Sequence, residues 1–143
     1  MTAALSVRPG LATIAEFEKI RALDRHIDSG RLADCIRRGL VYVLRTEADG
    51  DIIGVLRYSL FWQSLPFIDL VYLRADCRGL GYGSLFMQFF EDAMRDMGMT
   101  HVMLSTQADE IAQFFYEKRG YDRKGSFLPP EQDADELIFW KKL

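Results

Sequence analysis

The sequence predicts an α/β (α+β) fold, a mixed and mostly antiparallel central sheet flanked by about four helices in the order β-α-α-β-β-β-α-β-α-β-β. Three observations predict it. Apolar residues recur at helical spacing just after a short first strand; β-branched and aromatic runs joined by turn signals then read as an antiparallel meander; and a later strand-helix-strand passage calls for a crossover connection. The 143 residues fit one domain spanning 1–143, large enough to bury a core without metal or disulfide staples. Hydrophobic residues make up 49% and charged residues 27% of the chain, a globular balance that argues against disorder.

Taken in order, "LSVRPG" is a short strand stopped by Pro9 and Gly10. Leu11, Ile14, Phe17, Ile20, Leu23 and Ile27 then fall on one face of an amphipathic helix. Ser29 caps a second helix, with Leu32, Cys35 and Ile36 turned inward and Gly39 ending it. Strands over 40–46 and 52–62 flank "EADGD", whose Asp49-Gly50 pair signals a hairpin. A turn at "QSLP" leads to a third strand over 67–74, whose unbroken apolar character suggests burial on both faces. From Gly81 the chain is helical, with Leu85, Phe86, Phe89, Phe90, Ala93 and Met97 as the apolar stripe and Glu91, Asp92, Arg95 and Asp96 opposite. A strand over 101–106 precedes a helix over 108–120, and two last strands near 126–128 and 136–141 are divided by Pro129-Pro130.

Charge and cysteine usage bound the function. A net charge of −3 offers no global attraction to nucleic acid or anionic lipid, so neither nucleic acid nor membrane is expected as a partner. No window approaches the length of an apolar membrane span, and the first residues lack a signal-peptide core. Cys35 and Cys77 are far apart and form no CxxC, so reduced thiols, no metal and a cytoplasmic location are expected.

The segment "CRGLGYGSLF" joins a strand to a helix through three glycines. The first amides of a helix lack internal acceptors and sit at the positive end of its dipole, so such a junction suits an anion. Glycine spacing alone is equally compatible with a tight connection. The segment lacks the GK[ST] of a P-loop, and Ser84 stands where G-x-G-x-x-G needs its last glycine. It does fit R-x-x-G-x-G over Arg78, Gly81 and Gly83.

At this point the sequence resembles the GNAT superfamily, the acyl-CoA-dependent N-acyltransferases, whose pyrophosphate loop carries [QR]-x-x-G-x-[GA] at the same junction. "DEIAQFFYEKRGY" is similar to that family's N-x-x-A-x-x-F-Y-x-x-x-G-[FY], with Ala112, Phe115, Tyr116, Gly120 and Tyr121 matching. The resemblance covers essentially the whole chain. It implies acetyl-CoA as cosubstrate, backbone pairing of its pantetheine arm near Val71 and Leu73, and a pyrophosphate cradle from Gly79, Leu80, Gly81, Tyr82, Gly83 and Ser84 beside Arg78. It also implies that Tyr116 protonates the departing CoA thiolate as general acid. Asp109 stands where the family has asparagine, so its contact with the CoA arm would come from a carboxylate or be lost.

The base is open. The family's acidic residue on the fifth strand has no counterpart in "VMLS". Asp69 is a carboxylate in an apolar strand, a candidate base if burial raises its pKa and otherwise a solvated edge residue. Glu110, His26 and His101 are weaker candidates, and without a partner motif the two histidines read as structural or exposed. Tyr58, Phe61, Trp62, Phe67 and Tyr72 either wall an acceptor pocket or fill the core and a homodimer contact. Lys118, Arg119, Arg123 and Lys124 either form a solvated helix end or meet the cofactor's ribose phosphate.

The expected activity is transfer of an acetyl group to a primary amine of a small molecule or peptide, directly within a ternary complex. The alternative is a non-catalytic acyl-CoA-binding regulatory module that keeps the cradle without a productive acceptor site.

Overall fold

The computed structural model describes residues 5–143. Its elements are β1 (Val7–Leu11), α1 (Phe17–Leu23), α2 (Ser29–Arg37), β2 (Val41–Thr46), β3 (Ile52–Phe61), β4 (Leu65–Leu73), α3 (Tyr82–Asp96), β5 (His101–Gln107), α4 (Ala112–Lys118), β6 (Asp122–Phe127) and β7 (Glu136–Lys142). The seven strands form a sheet in the order β1-β2-β3-β4-β5-β7-β6. β4 and β5 run parallel, and the β1–β2, β2–β3, β5–β7 and β6–β7 pairs antiparallel. The predicted order of elements is the observed one. Two compact units divide the chain, one comprising residues up to Tyr58 with Leu70–Phe90, the other Ser59–Asp69 with Glu91–Leu143.

In the first unit, β2 and β3 are buried on both faces. Val41, Val43, Ile52 and Val55 pack with Ile20, Leu32 and Ile36 of α1 and α2. Those helices have only seven and nine residues, too short to persist alone. Burying the three helical side chains completely, at roughly 2 kcal/mol each, is what holds them. Asp28, not Ser29, caps α2, accepting from the Arg31 amide at 3.1 Å. The opposite face carries Tyr42 and Tyr58, whose rings meet that of Phe90 of α3 at 5.7 and 5.1 Å. Gly54 permits this approach: a Cβ there would lie 2.9 Å from Leu73 Cδ2 and 3.4 Å from Phe86 Cε2.

Three expectations need correction. The first helix is short because the chain remains extended through Pro9 and Gly10 to Leu11; an edge strand tolerates the missing proline amide. Burial on both faces falls on β2 and β3, the latter enclosed from Ile52 to Tyr58, whereas in β4 only Pro66 and Ile68 are enclosed. An apolar run tolerates burial without requiring it. Finally, the enclosed face of α3 is Phe86, Met87, Phe90, Glu91 and Met94, while Leu85 and Met97 are exposed.

In the second unit, β5 alternates strictly, with Val102, Leu104 and Thr106 enclosed. Their neighbours Leu137 and Phe139 of β7 are likewise enclosed. Lys141 shares that face of β7 and reaches Glu91 at 2.9 Å. β6 is exposed along its whole length, as befits the last strand of the sheet.

Candidate active site

The glycine segment forms the junction before α3. Gly79 and Gly81 adopt φ of +74° and +89°, a region closed to most side chains, which is the physical reason for glycine at both positions. A Cβ at either would meet no atom within 4 Å, so space opens in front of the turn. The first internal amide bond of α3 runs from Leu85 to Gly81 O at 3.2 Å, which leaves the amides of Tyr82, Gly83 and Ser84 without an intrahelical acceptor. Tyr82 contributes only backbone here. Its ring is enclosed, and its hydroxyl accepts from Leu5 N at 2.8 Å.

Arg78 folds back on the end of β4. Its Nε donates to Leu73 O at 2.9 Å, and its guanidinium lies 5.1 Å from the Tyr72 ring centroid. Among the described residues no carboxylate pairs with it, so its charge stays available beside the free amides. Arg74, by contrast, is held by both oxygens of Asp76, at 2.7 and 3.2 Å. Open space, amides without intrahelical acceptors and, among the described residues, a cation without a carboxylate partner suit the diphosphate of an acyl-CoA. Val71 and Leu73 are half-buried on the strand leading into the turn, and Leu80 and Ser84 are exposed.

Cys77 is enclosed beside Asp76, and burial pushes its thiol up, so it is no ready nucleophile. Among the described residues neither Cys35 nor Cys77 forms a disulfide. Among the described residues no group of carboxylate, histidine and cysteine side chains is arranged to hold a metal, and no helix is long and apolar enough to cross a membrane.

Tyr116 lies in the second unit, half-buried on α4. Its ring meets Phe115 at 5.3 Å and Tyr121 at 5.8 Å, both edge-on. Burial, aided by the charge of Glu110, pushes its phenol up to about 12, so it carries its proton at neutral pH. Its hydroxyl makes no hydrogen bond among the described residues, which leaves that proton free to move to a ligand.

Asp69 is exposed and accepts from Ser59 Oγ at 3.2 Å, which matches the solvated, hydrogen-bonded reading of it and not the buried one. Asp109 lies in the turn before α4, not in the helix, because α4 begins only at Ala112. His26 is exposed on the α1–α2 connection, and His101 stacks on Trp140 at 4.9 Å. Arg119, one of the cations considered for a ribose phosphate, instead turns onto Glu91 at 3.1 Å. Lys124 covers the Trp140 ring at 5.3 Å.

Sequence reasoning missed Glu91. Its carboxylate is fully enclosed and accepts from Arg119, Lys141 and Tyr121. The signal was present: Glu91 lies four residues after Met87 and three before Met94, within the apolar stripe.

The mixed seven-stranded sheet and the order of its elements are those of the fold that the sequence resemblance implied. The sequence profile of the Acetyltransferase (GNAT) family matches residues 11–121, and the chain belongs to that family. Comparison with curated proteins gives no match. Among solved structures it is similar to Ard1 from Thermoplasma volcanium, with a TM-score of 0.84 and 19% identity over 97% of this chain and 99% of that one. It also resembles a chain of the NatC complex bound to Gag peptide and CoA, at 0.81 and 16% over 97% and 99%. The ribosomal-protein-S18-alanine N-acetyltransferase from Escherichia coli matches at 0.79 and 13%, over 95% and 93%. At these identities the likeness is one of fold.

Proposed function

We propose that the protein is a cytoplasmic, single-domain N-acetyltransferase that moves an acetyl group from acetyl-CoA to a primary amine of a small molecule or peptide, directly within a ternary complex. The observation that carries this reading is the turn at the start of α3: positive φ at Gly79 and Gly81, three amides without helical acceptors, and Arg78 without a carboxylate partner among the described residues. These groups, with Leu80, would bind the diphosphate by its charge. Val71 and Leu73 would offer backbone groups to the pantetheine arm, and Asp109 its turn before α4.

Acetyl-CoA supplies the acetyl group as an activated thioester. Tyr116, protonated at neutral pH, would donate to the departing sulfur. Asp69 is the carboxylate offered to the incoming ammonium, directly or through one water. The enclosed, protonated Cys77 supports direct transfer over a covalent acetyl-cysteine.

The test is release of free CoA from acetyl-CoA across polyamines, amino acids, aminoglycosides and peptides. At least one class should release thiol in proportion to acetylated amine. Saturable CoA binding without release across the panel would instead select the non-catalytic regulatory module.

A further inference from the structure

We infer that Glu91 is a positioning residue for Tyr116, gripping through its buried carboxylate the two residues whose amides close the end of α4 on the Tyr116 carbonyl. The inference rests on the reading of Tyr116 as the general acid. It starts from how little else fixes α4. The helix has seven residues, buries none of them and has no side-chain cap at its start. A helix that short is not self-supporting.

Its start is held to the preceding turn by Gln113, whose Nε2 donates to Ala108 O and Glu110 O at 2.9 Å each, and its end by a tether. The amides of Arg119 and Tyr121 both donate to Tyr116 O, each at 3.0 Å. The side chains of the same two residues converge on Glu91: Arg119 Nη2 donates to Oε1 at 3.1 Å, and the Tyr121 hydroxyl to Oε2 at 2.8 Å. Lys141 of β7 also donates to Oε1, at 2.9 Å, and lies 5.6 Å over the Tyr121 ring. Glu91 thus joins α3, the end of α4 and β7 at one enclosed point. Burial and the Glu91 charge push the Tyr121 phenol far above its ordinary range, so it remains a donor throughout the working pH range.

The tether reaches the Tyr116 ring itself. Tyr121 presents its ring to that of Tyr116 at 5.8 Å and 69°. Fixing the Tyr121 hydroxyl fixes this ring, and with it the direction in which the Tyr116 hydroxyl points. A general acid misplaced by about 1 Å loses roughly two orders of magnitude in rate, so such a support bears directly on turnover.

The experiment is a double-mutant cycle in kcat, measured by CoA release with the most active amine of the panel. Glu91→Gln should lower kcat by about tenfold while the KM for acetyl-CoA stays within about twofold. In the Tyr116→Phe background, where no hydroxyl remains to be positioned, Glu91→Gln should lower kcat by less than about twofold further. Tyr121→Phe keeps the ring and both cations on Glu91 and removes only the hydroxyl contact. It should give a smaller version of the same non-additive pattern, and it carries the test if Glu91→Gln fails to fold. A loss that multiplies equally in both backgrounds would make Glu91 a support of the fold alone and overturn the inference, as would unchanged kcat in both single variants. If Tyr116→Phe by itself leaves kcat unchanged, or no amine releases CoA, the general-acid reading falls first and takes this inference with it.

Discussion

Arg57 Nε donates to Asp24 Oδ2 across 2.7 Å, and the Asp24 carboxylate is completely enclosed. The pair joins β3 to the α1–α2 connection, where Asp24 Oδ1 also accepts from the His26 amide at 3.3 Å. Breaking a buried ion pair by removing one partner costs about 3–5 kcal/mol. Asp24→Ala should therefore lower the urea midpoint steeply, whereas replacing Asp24 with Leu and Arg57 with Met together should recover most of the loss. A double variant as unstable as the single one would count against this account.

A second pair acts nearer the surface. Glu16 holds Arg45 with both oxygens at 2.7 Å and accepts from the Thr13 amide at 2.9 Å. The Arg45 hydrogen bonds, offset in part by burial and helped by Thr13, lower its carboxyl from 4.5 to about 2. A carboxyl depressed on folding stabilises the protein above its unfolded pKa, and that stability is lost as pH falls through the folded value. The stability gap between the protein and Glu16→Gln should accordingly be full at pH 6 and close between about pH 4.5 and 2. A gap that stays constant across that range in denaturation curves would sink the prediction.

The cradle makes a prediction that separates binding from folding. Gly81 at φ +89° has open space where a Cβ would project, so Gly81→Val strains the backbone without a clash. The strain is worth about 1–3 kcal/mol, which a folded domain of ordinary stability survives. CoA affinity, measured by calorimetric titration, should fall by more than about tenfold, because the first free amides turn away from the anion. Unaltered affinity in a folded variant would place the diphosphate elsewhere.

The order of elements was legible because periodicity reports local structure, and both motifs were legible because glycines at positive φ and an aromatic helix end leave fixed spacings. Less visible was what depends on contacts between distant residues. The strands buried on both faces are β2 and β3, because helices pack on each side of them, and no property of their own composition separates them from the more apolar β4. Asp69 within "PFIDLVYL" reads either as a desolvated base or as a solvated carboxylate, and only the packing around the strand decides for the exposed position beside Ser59. Glu91 reads as a surface charge because charge is usually solvated. Its partners Arg119, Tyr121 and Lys141 lie 28 to 50 residues away, beyond any local pattern.

Tyr116 ties the chemistry to a measurable pH profile. Burial and Glu110 push its phenol up to about 12, so as general acid it would be competent at every pH below that value and lost only as pH rises through it. The acceptor amine, in contrast, must be neutral to attack, and an ordinary alkyl ammonium near 10.4 gives a rate that climbs until about that pH. Turnover with such an amine should rise on the alkaline side and hold to about pH 11, with no descending limb near 10. Tyr116→Phe should keep the rising limb, lower the plateau by about 10²-fold or more, and leave the KM for acetyl-CoA nearly unchanged. A descending limb near pH 10 that vanishes in Tyr116→Phe would show a phenol titrating as if solvated, and the account of its burial would fail. Equal plateaus in the two proteins would move the proton donor to another group.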